Sequence, residues 1–318
     1  MASTSKFFLV AFAICLICIA PQRAAAGQLP PSYLVVDSQT GYVLIEQNAR
    51  EKRQIASLTK IATACVVLDW AEKRGGDLSQ LATISQAAFV GVEKNEIGWQ
   101  VGDIVSLRDL LYAALVQSDN LAANALALRV GGTLESVAPA ESKITPATVF
   151  VAQMNALAKQ LGMDRTRFVN PSGFDYKERP MPYSTAIDLA RLTRYAMNKA
   201  SFRFYVSQKE REISFNRAGK QMHALLRTTN DLLGINGIDG VKTGQTARAG
   251  ECLILSANRP SEVIKNGDSA TIFPRHLIVV ILGSNDRFGD GQRLVRQGWQ
   301  LYDQWAASGR LVDPKKML

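Results

Sequence analysis

The strand-forming segments of this 318-residue chain lie towards its two ends with a long helical stretch between them, and that distribution restricts the fold more than any other feature. Tyr33 to Asp37 (YLVVD) and Tyr42 to Glu46 (YVLIE), separated by Ser-Gln-Thr-Gly, predict an N-terminal β-hairpin. A helix follows over about Ser57 to Lys73, apolar almost all round through Ile61, Val66, Val67, Leu68 and Trp70, so it should be buried on most sides. From Leu78 to about Asn198 the periodicity is mainly helical. Leu107–Leu111 and Phe150–Leu161 are its clearest amphipathic runs, and Asn170-Pro171-Ser172-Gly173 is a turn before a helix near Thr185–Met197. Strand signals return at Ile238–Lys242, Cys252–Ser256 and Leu277–Leu282, and a last helix runs from about Asp290 to Trp305. The predicted fold is α+β: one antiparallel five-stranded sheet covered by the N- and C-terminal helices, with an all-helical lobe over about 78–200 inserted beside it.

Residues 1–26 have a short polar start with Lys6, an apolar run from Phe7 to Ala20 and Ala24-Ala25-Ala26 before Gly27, the layout of a cleaved secretory signal. The run is too short for a comfortable membrane span, and nothing later is long and apolar enough, so no stable membrane anchor is expected after cleavage. The mature chain, 27–318, is then a single catalytic domain of two lobes. Loss of Lys6 and Arg23 takes the formal charge from +9 to +7, with the basic residues scattered rather than clustered, which does not suggest nucleic acid. Cys15 and Cys18 leave with the signal. Cys65 and Cys252 each sit in an apolar run, where a buried free thiol is favoured over a bridge. With only His223 and His276, and no C-x-x-C or H-x-x-x-H spacing, neither a His-dependent triad nor a zinc site is expected, and no cofactor is called for.

Three short motifs carry the chemistry: Ser57-Leu58-Thr59-Lys60, Ser118-Asp119-Asn120 and Lys242-Thr243-Gly244. None is specific alone, since Ser3–Lys6 and Ser256–Asn258 repeat two of the patterns; their order is the signal. Ser57 and Lys60, three apart, share one face of a helix. A lysine takes a serine proton only after losing its own, which burial near another cation such as Lys242 promotes. The Ser57 backbone N–H, near a helix start, is an available oxyanion donor, although an N-cap is the ordinary role of such a serine. Ser118 suits proton relay and the Asn120 amide suits a substrate backbone, or the segment is simply a turn. Gly240–Gly244 is strand-like, and Gly244 lets an extended substrate approach the edge, where Lys242 and Thr243 face a carboxylate.

With these motifs the chain resembles the D-alanyl-D-alanine carboxypeptidase family, the low-molecular-mass penicillin-binding proteins. Leu161-Gly162-Met163, Phe168–Gly173, Tyr183–Ala190, Asn230–Leu233 and Gly240–Thr246 also look like family segments in family order, over about Tyr33 to Trp305. The resemblance implies a β-lactamase/transpeptidase-like fold. It implies Ser57 as acylated nucleophile, Lys60 as general base, Ser118 and Asn120 as relay and substrate contact, and Lys242 with Thr243 as carboxylate clamp. It further implies an oxyanion hole from the backbone N–H groups of Ser57 and Gln245, and a carboxylate-binding arginine after the last strand, Arg287. The implied partners are peptidoglycan stem peptides as substrates and β-lactams as covalent inhibitors.

Some features depart from the family pattern. Asp119 stands where the family usually has glycine, a form shared with class A β-lactamases. Val137–Thr148 and Asn258–Arg275 look like insertions expected to reshape the rim of the cleft. After the last predicted helix neither the C-terminal β-domain nor the amphipathic tail of many relatives is expected. The expected activity is DD-carboxypeptidase, with DD-endopeptidase as the near alternative. A β-lactamase is disfavoured because no glutamate between Asn120 and Lys242 begins an E-x-x-N segment. A non-catalytic penicillin-binding module is disfavoured by the complete set of expected side chains.

Overall fold

A computed structural model describes residues 30–318 apart from 74, 76, 135–144, 176–180 and 267–268. The expected signal segment and most of Val137–Thr148 lie outside the described residues. The main sheet takes β1 (Ser32–Asp37) and β2 (Val43–Gln47) from the N-terminal hairpin, and β7 (Ile238–Thr246), β8 (Gly250–Asn266) and β9 (Ser269–Ser284) from the C-terminal part. Their order is β2-β1-β9-β8-β7, antiparallel throughout. β1 is buried on both faces, which is why it reads as a continuous apolar run. Tyr33 and Val35 join one core with Leu253, Leu255 and Trp299; Leu34 and Val36 join the other with Ile254 and Val280.

The first of these cores is closed by α7 (Arg287–Ala307), which brings Leu294, Val295 and Trp299 onto the sheet. On the opposite face α5 (Ala186–Met197) packs on β1 and β9, and α6 (Ala200–Val206) packs on β7. The N-terminal helix α1 (Lys60–Lys73) meets β7 and β8 through the turn that opens it. Its length is wrapped by α5, α6, α2 (Leu107–Leu115), α3 (Asn120–Gly131) and α4 (Pro146–Gln160). Cys65 and Cys252 are both buried and free. No helix among the described residues is long and apolar enough to cross a membrane.

Two expectations need correction. The second lobe is not all helical and does not end near residue 200. It contains a four-stranded sheet, order β3-β4-β5-β6, from β3 (Leu81–Thr83), β4 (Ile104–Ser106), β5 (Glu210–Arg217) and β6 (Lys220–Arg227). Ala218 and Gly219, both at positive φ (49° and 83°), make the tight hairpin turn between β5 and β6. The segment Asn258–Arg275, in turn, is no cleft rim. It prolongs β8 and β9 into a two-stranded arm beyond the last pairing of β8 with β7, Ile238↔Ala257, and of β9 with β1, Asp37↔Leu277. Gly244 pairs with Cys252, so the arm begins six residues further along β8, roughly 20 Å away at the usual rise of a strand. Its base is held to α7 by Arg259 and Arg275 on Asp303.

Candidate active site

Ser57 lies in a 3₁₀ turn, Ala56–Thr59, that leads directly into α1. The N-cap position of that turn is Ile55 and no side chain caps it, so capping is not what Ser57 does. Its hydroxyl meets Lys60 instead. Lys60 is 0 % exposed; its Nζ lies 2.8 Å from Ser57 Oγ and donates to Asn120 Oδ1 at 2.6 Å and to the Ser172 carbonyl oxygen at 2.8 Å. A neutral amine has two hydrogens and one lone pair. Two carbonyl oxygens take the hydrogens, and the lone pair is left for the Ser57 hydroxyl. Burial brings the Lys60 pKa down to about 7, against the opposing pull of the Asp119 carboxylate. Near neutrality, therefore, a large share of Lys60 is the free amine that proton abstraction requires.

The Ser172 carbonyl is positioned by a turn the sequence shows only as a turn. Asn170 Oδ1 accepts from the backbone N–H groups of Ser172 (3.2 Å) and Gly173 (2.7 Å), and Thr63 in α1 donates to the Pro171 carbonyl at 2.6 Å. Gly173 has φ +79°, and a Cβ there would sit 1.9 Å from the Ala56 carbonyl oxygen. Only glycine lets this turn press against the turn that carries Ser57.

Ser118 has φ +65°, the left-handed region that non-glycine residues occupy at a cost and that recurs at functional sites. It shares a cleft of about 190 Å³ with Ser57 and Asn120, with Glu93 and Glu96 on the wall. Its hydroxyl is not among the Lys60 partners. Asp119 caps α3, its Oδ1 accepting from the Ala122 N–H at 2.6 Å, which gives a structural reason for a carboxylate in the middle motif. A larger cavity of about 360 Å³ behind Asn170 and Pro171 is lined by Val90, Leu128 and Val151; it carries the hydroxyls of Thr145 and Thr148 but, among the described residues, no lysine, histidine or carboxylate to activate them. Of these two cavities the smaller one is the candidate site, because it holds Ser57, Ser118 and Asn120 together.

Lys242, Thr243 and Gly244 lie on β7, the edge strand, whose outer backbone groups are unpaired by the sheet. A Cβ on Gly244 would come within 3.0 Å of the Ser57 nitrogen and of the Ile55 carbonyl oxygen, so glycine here allows the strand to close on the Ala56–Thr59 turn. Gln245, the next residue, is exposed. Lys242 is buried and donates to the Thr243 carbonyl at 3.1 Å. Burial first, then the positive charges of Lys60 and Arg287, hold its pKa well below the usual lysine range. The Thr243 hydroxyl is 2.5 Å from that of Thr229, a partner the sequence does not reveal. Arg287, the first residue of α7, donates from Nη1 to the Gly244 carbonyl at 3.3 Å, and its backbone N–H is taken by Glu251 at 3.0 Å. Ser57, Lys60, Ser118, Asn120, Lys242, Thr243, Gly244, Gln245 and Arg287 thus come together from both lobes. The second S-x-N, Ser256–Asn258, instead bonds Asp239 away from the cleft.

Residues 21–265 match the family profile described as D-alanyl-D-alanine carboxypeptidase, peptidase S11. The chain is 32% identical over 280 residues to the carboxypeptidase DacC of Escherichia coli, covering 86% of this chain and 62% of DacC. It is also 32% identical over 280 residues to a D-alanyl-D-alanine endopeptidase of Pseudomonas aeruginosa, covering 86% of this chain and 77% of that protein. Its fold matches the Streptomyces K15 DD-transpeptidase at TM-score 0.71 and 27% identity, over 86% of this chain and 97% of that one. A Listeria monocytogenes penicillin-binding protein D2 solved with cefotaxime bound matches at TM-score 0.65 and 28% identity, over 85% and 97% of the two chains. The matched part spans 62% of DacC and 54% of the Bacillus subtilis carboxypeptidase DacF, less than two thirds of either. On the profile match and these identities, the chain belongs to the D-alanyl-D-alanine carboxypeptidase family of serine peptidases, S11.

Proposed function

We propose that the protein is an exported serine DD-carboxypeptidase that removes the terminal D-alanine from peptidoglycan stem pentapeptides. The observation that carries this reading is the buried Lys60 amine 2.8 Å from Ser57 Oγ. The peptide lies along the β7 edge, its terminal carboxylate drawn by Lys242, Thr243 and Arg287; an arriving anion favours the charged form of Lys242, which burial and the neighbouring cations otherwise disfavour. Ser57 Oγ attacks the carbonyl carbon of the scissile bond and passes its proton to Lys60. The oxyanion forms against the backbone N–H groups of Ser57 and Gln245. Collapse returns a proton, relayed through Ser118, to the leaving D-alanine nitrogen and leaves an acyl ester on Ser57. Water then cleaves the ester, the proton moving again to Lys60, and Ser57 is regenerated. β-Lactams acylate the same hydroxyl.

Two assays test this. Incubation with free pentapeptide and with crosslinked dimer, followed by mass spectrometry, should show loss of one D-alanine from the pentapeptide. Cleavage of dimer alone would assign the endopeptidase activity that the Pseudomonas relative's name carries. Penicillin should form a long-lived adduct, because no E-x-x-N glutamate supplies a deacylating base. Steady penicillin loss far beyond one equivalent would instead support a β-lactamase. Lys242→Ala should lower kcat/KM for carboxylate-ended peptides about ten- to hundredfold, mainly through KM, as expected on removing one charged hydrogen bond. An amidated peptide should show a much smaller loss.

A further inference from the structure

We propose that Asp119 is a positioning residue for the proton transfer: its buried carboxylate caps α3, so fixing Asn120 against Lys60, and places a negative charge beside the Lys60 amine. This rests on the reading of Ser57 and Lys60 as nucleophile and base. Asp119 is 8 % exposed, and its carboxylate is anchored by the Ala122 N–H at 2.6 Å. Asn120, the first residue of the helix it caps, presents the Oδ1 that accepts from Lys60 at 2.6 Å. One side chain therefore sets both the geometry and the field at the base.

The charged groups around the pair act in opposite senses. Lys60 faces Asp119 from α1, and Glu96, with Glu93 and Lys94, faces it from the exposed cleft wall. On the other side of Lys60 stands Lys242 on β7, whose own pKa is held well below the usual lysine range by burial first, then by Lys60 and by Arg287 on α7. Burial strips the proton from Lys60 and the Asp119 carboxylate favours keeping it. Burial also raises the Asp119 pKa to about 6, with the Ala122 N–H and Lys60 resisting and Glu96 adding to the rise. The two groups thus titrate close together, and each proton is felt by the other.

Asp119→Asn keeps an oxygen for the cap and deletes the charge. With less negative charge nearby, Lys60 becomes neutral at lower pH. The acid limb of Ser57 acylation by benzylpenicillin should move to lower pH, making the variant about threefold or more faster than wild type near pH 6.5. That advantage should narrow well below pH 6, where wild-type Asp119 takes up its own proton. On the high-pH plateau the variant should be slower, because its base is weaker. Asp119→Gly should shift the limb in the same direction with a lower melting temperature, because its cap is poorer. A folded Asp119→Asn protein whose limb stays at the wild-type pH or moves upward overturns the inference. A purely structural role would lower the melting temperature and leave the limb in place. If wild type is not acylated by any β-lactam or peptide, the nucleophile–base reading fails first and takes this inference with it.

Discussion

Lys60→Arg is expected to abolish acylation of Ser57 while leaving the fold intact by circular dichroism. Arginine keeps its proton at any working pH and has no lone pair to offer, so charge alone cannot rescue it. Positioned general-base assistance is worth ~10² to 10⁴-fold, and losing the nucleophile–base pair as a unit places the expected fall at the upper end. Lys60→Ala should be equally inactive and less stable, since Asn120 Oδ1 and the Ser172 carbonyl lose their donor in a buried site. Burst labelling with fluorescent penicillin reads both variants. In the wild-type protein the rate should fall as pH drops through about 7, because protonation removes the lone pair. Near-wild-type labelling of Lys60→Arg would remove Lys60 from the base role.

Gly173→Ala is expected to have the next largest effect, although residue 173 touches no reacting atom. The added Cβ would lie 1.9 Å from the Ala56 carbonyl oxygen and 2.5 Å from its carbon, and the backbone there has φ +79°. Overpacking and a left-handed alanine together cost about 3 kcal/mol. That should lower the melting temperature by several degrees, read by calorimetry. Any relief must push the Ala56–Thr59 turn, which carries Ser57, or the Ser172 carbonyl, which holds Lys60. A displacement of about 1 Å at such a site costs on the order of 10²-fold in rate. A variant with unchanged melting temperature and acylation rate would show that the two turns are not packed as described.

The side chains that meet at the candidate site were legible because their spacing is itself chemical. A serine and a lysine three apart on a helix must face one another, and Lys242 and Gly244 fall on a strand whose burial fits their pattern. What remained hidden was backbone. The Ser172 carbonyl that holds Lys60 carries no side-chain signal, and Gly173 is recognisable as indispensable only once Ala56 is seen against it. Thr229 and Glu251 act through partners far along the chain, Thr243 and Arg287, which local patterns cannot pair. The capping role of Asp119 was within reach, since an aspartate before an apolar helix is an N-cap signal. In the fold, β1 and α1 announce themselves through burial on all sides. β3 and β4 are three residues each, too short for alternation to register, and β5 offers only Ile213 and Phe215 as buried apolar positions. The arm was misplaced for a related reason: Val263 (53 % exposed) and Ile272 (62 %) are apolar on a surface with no covering layer, so the usual inward–outward pattern is missing.

The claim on which everything else depends is that Ser57 is the acylated hydroxyl. It is tested most directly by peptide mapping after brief exposure of the intact protein to one equivalent of benzylpenicillin at neutral pH. The predicted result is a single penicilloyl adduct on the peptide containing Ser57, absent from Ser57→Ala and from Lys60→Arg. An adduct on any other residue, or equal labelling of the Ser57→Ala protein, would contradict the account.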